Sequence, residues 1–138
     1  MPLRWKIAPL ERMVVCVAEG TVTMKDLMEY FTALEAAGAS DYRKILDATR
    51  GENALSDADR KQLAAYAKNY GRRGNPGPMA VVTGAAGNDT VVADVRMMLR
   101  DGRRMREFPT IHEARLWIDK VASTQKNAAP SPGRRRAS

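Results

Sequence analysis

Three short polar signatures punctuate the chain and narrow what it can fold into. Thr23-Met24-Lys25-Asp26, Ser56-Asp57-Ala58-Asp59 and Thr110-Ile111-His112-Glu113 each place a hydroxyl three residues ahead of a carboxylate. That spacing lets the hydroxyl accept from one backbone N–H at a helix start while the carboxylate accepts from another. The clearest passage runs from Lys44 to Tyr70. A short apolar strand over Lys44–Ala48 carries an acid at Asp47, a seven-residue polar connection follows, and Ser56 opens a helix. A charged loop and a helix N-terminus then lie beyond the carboxyl end of a strand, where open α/β sheets place their binding sites.

The rest of the chain repeats this alternation. Trp5 and Ile7 alternate with Arg4, Lys6 and Ala8 as in a half-buried strand, and Arg12 to Ala18 is a second, more continuously apolar one. The link through Pro9-Leu10-Glu11 is short enough to demand an antiparallel hairpin. Leu27, Tyr30, Phe31 and Leu34 line one face of the first helix, and Leu63, Tyr66, Ala67 and Tyr70 line the second. After the Gly71–Pro78 turn, Met79–Thr83 reads as a short buried strand. Asn88 or Asp89 then caps a third helix with Val92, Val95, Met98 and Leu99 inward. Arg104–Phe108 is a charged edge strand, and the last helix carries Ile111, Ala114, Trp117, Ile118 and Val121 on one face. The expected order is β-β-α-β-α-β-α-β-α, an α/β fold with a mostly parallel five-stranded sheet and an antiparallel first strand.

One domain over residues 1–123 is expected, followed by a disordered basic tail over 124–138, where apolar residues are too few to offset ordering. Four of the 23 basic residues fall in that tail, which leaves 19 basic against 16 acidic side chains, a net +3, on the domain. The charge is therefore weak support for a polyanion partner. No apolar run approaches the ~20 residues of a membrane span, and the N-terminus lacks a secretory h-region, so a cytoplasmic location is expected. One cysteine, Cys16, excludes an internal disulfide, and with the single histidine it cannot supply a zinc site. No cofactor or metal is expected.

This pattern resembles the SpoIIAA-like, or STAS/SEC14-like, family from Trp5 to Val121. The likeness rests on the leading hairpin, on Gly20-Thr21-Val22-Thr23 before the first helix, and on Ile45-Leu46-Asp47 leading to a helix begun by Ser56. Ala80-Val81-Val82 and the closing Phe108 with Ala114-Arg115-Leu116-Trp117-Ile118 complete it. The resemblance implies a non-enzymatic regulatory or interaction module that binds a protein partner, or a small hydrophobic or anionic ligand, near the Ser56 and Gly84 loops. In phosphorylated antagonists of this fold an Asp-Ser-Ser-Gly helix start carries the modified serine. Here Ala54-Leu55-Ser56-Asp57-Ala58-Asp59 stands in its place, so Ser56 alone could act as the switch, and Asp57 and Asp59 would repel a phosphate. A homodimer is expected if one sheet edge or face stays uncovered.

Each candidate has a plain alternative. Ser56 as a helix cap alone is worth about 1 kcal/mol. Gly84-Ala85-Ala86-Gly87 resembles a phosphate-binding turn but lacks the third glycine and the Lys-Ser/Thr of a P-loop, which favours an ordinary βα loop. Asp47 and Thr49 sit at a strand end, where Asp47 could serve as a base or a ligand group, though no partner acid is recognisable. Arg96, Arg100, Arg103, Arg104 and Arg106 form the densest basic cluster, a candidate anion patch whose plain reading is a solvated face beside Asp94, Asp101 and Glu107. No aromatic interleaves them, which disfavours nucleic acid held by base stacking. Met28, Tyr30, Phe31, Tyr66 and Tyr70 read as core that could line a pocket only if two helices parted. The competing class is a small enzyme using Asp47, Ser56 or His112, and a third is a polyanion binder acting through the Arg96–Arg106 cluster and the tail.

Overall fold

The computed structural model describes residues 2–73, 77–85, 87–88, 92–93 and 105–128. Its elements are β1 (Leu3–Ala8), β2 (Met13–Val22), α1 (Met24–Ala36), β3 (Arg43–Asn53), α2 (Asp57–Arg73), β4 (Met79–Val82), β5 (Met105–Phe108) and α3 (Ile111–Ala128). The five strands lie side by side in chain order, β1 antiparallel to β2 and every other neighbouring pair parallel. Lys44 lies opposite Met79 and Asp47 opposite Val82, so the two central apolar runs are direct neighbours. This is the expected α/β architecture.

Strand alternation divides the core between two faces. Val14, Cys16 and Ala18 of β2 face α1 and α2, joined there by Tyr30, Phe31, Leu34, Leu55 and Leu63. Met13 and Ile45, with Ala80 and Val82, face the other way and receive Ala114 and Ile118 of α3. Phe31 stacks on Tyr66 with ring centroids 4.7 Å apart, and Trp5 meets Tyr30 edge-on at 5.4 Å, so the expected aromatic core fills the layer over β1 and β2. The side chains of Ala67 and Tyr70 lie outside the described residues.

Two of the three capping signatures make the full reciprocal exchange that their spacing predicts. Asp26 N–H donates to Thr23 Oγ1 while Thr23 N–H donates to Asp26 Oδ2. Ser56 and Asp59 repeat the exchange at 3.0 and 3.1 Å. At the third, Glu113 N–H donates to Thr110 Oγ1, and that hydroxyl donates to the Glu113 carboxylate.

Several expectations are corrected. β3 does not end at Ala48. It continues through Thr49–Asn53, paired with Glu19–Val22, so the polar connection before Ser56 is mostly strand. Pairing supplies what these residues lack in β propensity. Ile111 is 43% exposed rather than buried, because the α3 stripe is centred on Ala114 and Ile118. α3 runs to Ala128, so the expected tail boundary at residue 124 falls inside a helix. Of the helix expected after β4, Val92 and Ala93 are helical and Val92 N–H donates to Asn88 O; its remaining residues lie outside the described part.

Two basic residues secure the amino end of the sheet. Arg43 ties α3 to β3, donating to Asp119 Oδ1 at 2.7 Å and to Ile118 O at 3.3 Å. Lys44, read from sequence only as the first strand residue, is 4% exposed and donates from Nζ to Ser40 O and Tyr42 O at 2.8 and 2.7 Å. It thereby satisfies carbonyls at the turn that follows α1.

Candidate functional site

The carboxyl end of the sheet is shaped by one irregularity. Between the pairs Val17–Asp47 and Glu19–Arg50, β2 contributes Ala18 alone while β3 contributes Ala48 and Thr49, which is a β-bulge. Asp47 stabilises it locally, its Oδ1 accepting from Thr49 N–H at 3.1 Å. Beyond the bulge, Gly51 packs so closely on β2 that an added Cβ would lie 2.7 Å from Ala18 Cβ. The β2–β3 pair therefore projects past the end of β4 as a two-stranded arm.

The loop after β4 closes against this arm. Gly84 adopts φ +79°, a left-handed conformation that side chains resist, and a Cβ there would come within 3.2 Å of Thr49 Cγ2. Gly87 N–H donates to Gly84 O, forming a tight turn. Asn88 then reaches across to the bulge, its Nδ2 donating to Ala48 O at 3.0 Å and to Gly51 O at 2.9 Å. Asn88 was read from sequence only as an alternative helix cap. Its clamp on β3 leaves no signal in the chain, because the two carbonyls it holds are more than thirty residues away.

The structure thus brings Asp47, Thr49, Gly84 and Gly87 into one cluster, with exposed Ser56 a few residues beyond the end of the arm. Three of these groups bond within the fold. Asp47 holds the bulge, Gly87 N–H closes its own turn, and the Ser56 hydroxyl accepts from Asp59 N–H. A phosphate on Ser56 would meet Asp57 and Asp59 at the same helix start. In this structure Gly84–Gly87 forms the turn after β4, and Ser56 caps α2.

Asp47, Ser56 and His112 are not drawn together by hydrogen bonds. Alternation points Asp47 to the α3 side of the sheet, in one row with Val82 and Phe108. Ser56 heads α2, which packs on the opposite side, and His112 is exposed in the first turn of α3. Cys16 is buried, and burial pushes its thiol up to about 12, so it is a packing group and not a nucleophile at neutral pH. Arg96, Arg100, Arg103 and Arg104 lie outside the described residues, while Arg106 is exposed with its guanidinium 5.5 Å from the centre of the Phe108 ring. Among the described residues no group of three or more His, Cys, Asp or Glu could hold a metal ion, and no helix is long and apolar enough to cross a membrane.

No protein-family model matches the sequence, and no curated protein matches it. Among solved structures, the chain is similar to an uncharacterised protein of the DUF3478 family with a SpoIIAA-like fold, from Shewanella loihica PV-4. The two share 17% sequence identity at a TM-score of 0.61, over 84% of this chain and 93% of that one. The chain therefore has the SpoIIAA-like fold that its sequence pattern resembles.

Proposed function

We propose that this chain is a non-enzymatic, STAS-type interaction module that binds a protein partner at the carboxyl end of its sheet. The observation that supports this reading is that Asp47, Ser56 and Asn88 each bond within the fold at this end of the sheet. What faces outward is a rigid, chemically quiet surface: Thr49 and Arg50 at the bulge, Glu52 on the arm, Ser56 and Asp57 at the helix start, and Ala85 in the neighbouring turn. A bulge, a glycine held against Thr49 and a side-chain clamp fix its shape, and shape fixed in advance lowers the ordering cost of association. The SpoIIAA-like fold supports the same reading.

Native mass spectrometry of the protein purified from its own cells, in wild-type form and as Thr49→Arg, tests it. The wild type is expected to carry a protein partner that Thr49→Arg loses and that Lys25→Glu, on exposed α1, retains. Retention of the partner by Thr49→Arg would refute the assigned surface. Turnover of ester or phosphoester substrates abolished by Asp47→Asn would refute the non-enzymatic reading.

A further inference from the structure

β3 is longer than the strand beside it. β4 pairs with residues 44–47 and the chain then turns aside at Gly84, φ +79°, while β3 continues to Asn53 against β2. Residues 48–53 are therefore the margin of the arm on the side that β4 does not reach. Lys44 N–H donates to Pro78 O, so the backbone of residue 44 points toward β4, and by alternation so does that of Ala48. The extra residue of the bulge shifts this phase by one, and Gly51 and Asn53 point the same way. Backbone groups along such a margin are a template on which another strand can add.

Asn88 stands where that strand would lie. Its Nδ2 donates to Ala48 O at 3.0 Å and to Gly51 O at 2.9 Å, so one carboxamide does for two carbonyls what a neighbouring backbone N–H would do. The margin that it covers is self-complementary. Arg50 and Glu52 lie on one face of the arm with Gly51 between them, and both are exposed. When two such margins pair antiparallel about Gly51, Arg50 of each copy stands opposite Glu52 of the other, and the two-fold axis makes both contacts at once. Parallel pairing in register would set Arg50 against Arg50 and Glu52 against Glu52. Within one copy Arg50 lies 3.9 Å from Glu19, a carboxylate that Arg4 also binds.

We propose that Asn88 is an autoinhibitory plug: its carboxamide closes the β3 margin of the arm against antiparallel pairing with a second copy, centred on Gly51. Asn88 follows the Gly84–Gly87 turn and belongs to neither strand, so it can leave the margin without undoing any strand pairing. The plug is independent of the partner surface proposed above, since the pairing that it blocks needs this chain alone.

Sedimentation of the purified full chain over a range of concentrations tests this. Two variants release the plug: Asn88→Ala, and Asn88→Asp, which keeps the volume and suits a helix start but loses both donors. Each, checked for native circular dichroism, is expected to form a species of twice the wild-type mass. If Asn88→Ala does not fold, the aspartate variant decides. Adding Arg50→Glu sets a second carboxylate against Glu52 of the other copy and should weaken that species by about tenfold or more. Adding Arg50→Glu together with Glu52→Arg should restore it. Asn88 variants that sediment as the wild type does at every concentration would overturn the proposal. So would association that Arg50→Glu leaves unchanged, as in the clumping of a loosened fold, or that the charge swap does not restore. A wild-type chain that already associates, and ceases to with Arg50→Glu, would overturn it as well.

Discussion

Adding one methyl group at Gly51 is expected to destabilise the protein by about 1–2 kcal/mol, the balance of an overpacking cost of about 1–3 kcal/mol and an unfolded-state gain of about 0.4–1 kcal/mol for Gly→Ala. The new Cβ would lie 2.7 Å from Ala18 Cβ and 3.3 Å from Ala18 O. Carbon atoms pack comfortably at about 3.5–4.0 Å, so the arm must open by roughly 1 Å to relieve the contact. Opening is resisted on the other side, where Asn88 holds Gly51 O. The assay is urea unfolding followed by fluorescence of Trp5 and Trp117, in wild type, Gly51→Ala, Ala18→Gly and the double variant. Ala18→Gly removes one buried methyl, worth about 0.8 kcal/mol, and the double variant restores a single methyl to the shared space. The double variant should therefore be more stable than the sum of the singles by roughly 1 kcal/mol or more. Gly51→Ala at wild-type stability, or strictly additive singles, would refute the close approach of β2 and β3 beyond the bulge.

Three further outcomes are expected. Lys44→Met strips Ser40 O and Tyr42 O of a buried donor and should cost about 2 kcal/mol in the same unfolding experiment, net of the desolvation that the charge no longer suffers. The folded Cys16 thiol stays protonated up to about 12, whereas the unfolded chain releases that proton above its ordinary 9.0. Between those values the folded state holds more protons, so stability falls as pH rises, by up to about 1.4 kcal/mol per pH unit, and unfolding curves at alkaline pH should show Cys16→Ala free of that component. Ser56→Ala should cost about 1 kcal/mol by thermal or urea unfolding, and Ser56→Asp much less, since an aspartate also caps a helix.

What could be read from the chain was set by short-range chemistry. The hairpin of β1 and β2, the caps at Thr23, Ser56 and Thr110, and the Ile45-Leu46-Asp47 strand depend on neighbours in sequence, and each stands where its pattern placed it. The extension of β3 over Thr49-Arg50-Gly51-Glu52-Asn53 was hidden because five polar or glycine residues form a strand only once Glu19–Val22 is alongside. Buried Lys44 was hidden for a related reason: burial of a lysine is decided by carbonyls that the fold brings to it. The sequence grouped Asp47, Thr49 and Gly84 as loop candidates from their place after strands, but not the Asn88 clamp that turns them into one unit. Ile111 fits the helical spacing yet lies on the flank, because periodicity gives the width of an apolar stripe and not the part that a narrow sheet covers.

The division of the core between the two faces has a consequence for how the molecule comes apart. The cluster packed directly under α1 and α2 falls between Leu3 and Leu63, while Met79 and Val81 extend the same face under β4, so most of this layer closes through short loops of the first half of the chain. The layer under α3 must gather Met13, Ile45, Ala80, Val82, Ala114 and Ile118 from the whole length of the sequence. Loop closure makes such distant contacts the slower to form. The terminal helix, pinned at Arg43, is then the last piece to dock and the first to lift, and its amides should exchange with solvent hydrogen ahead of those in β2 and β3.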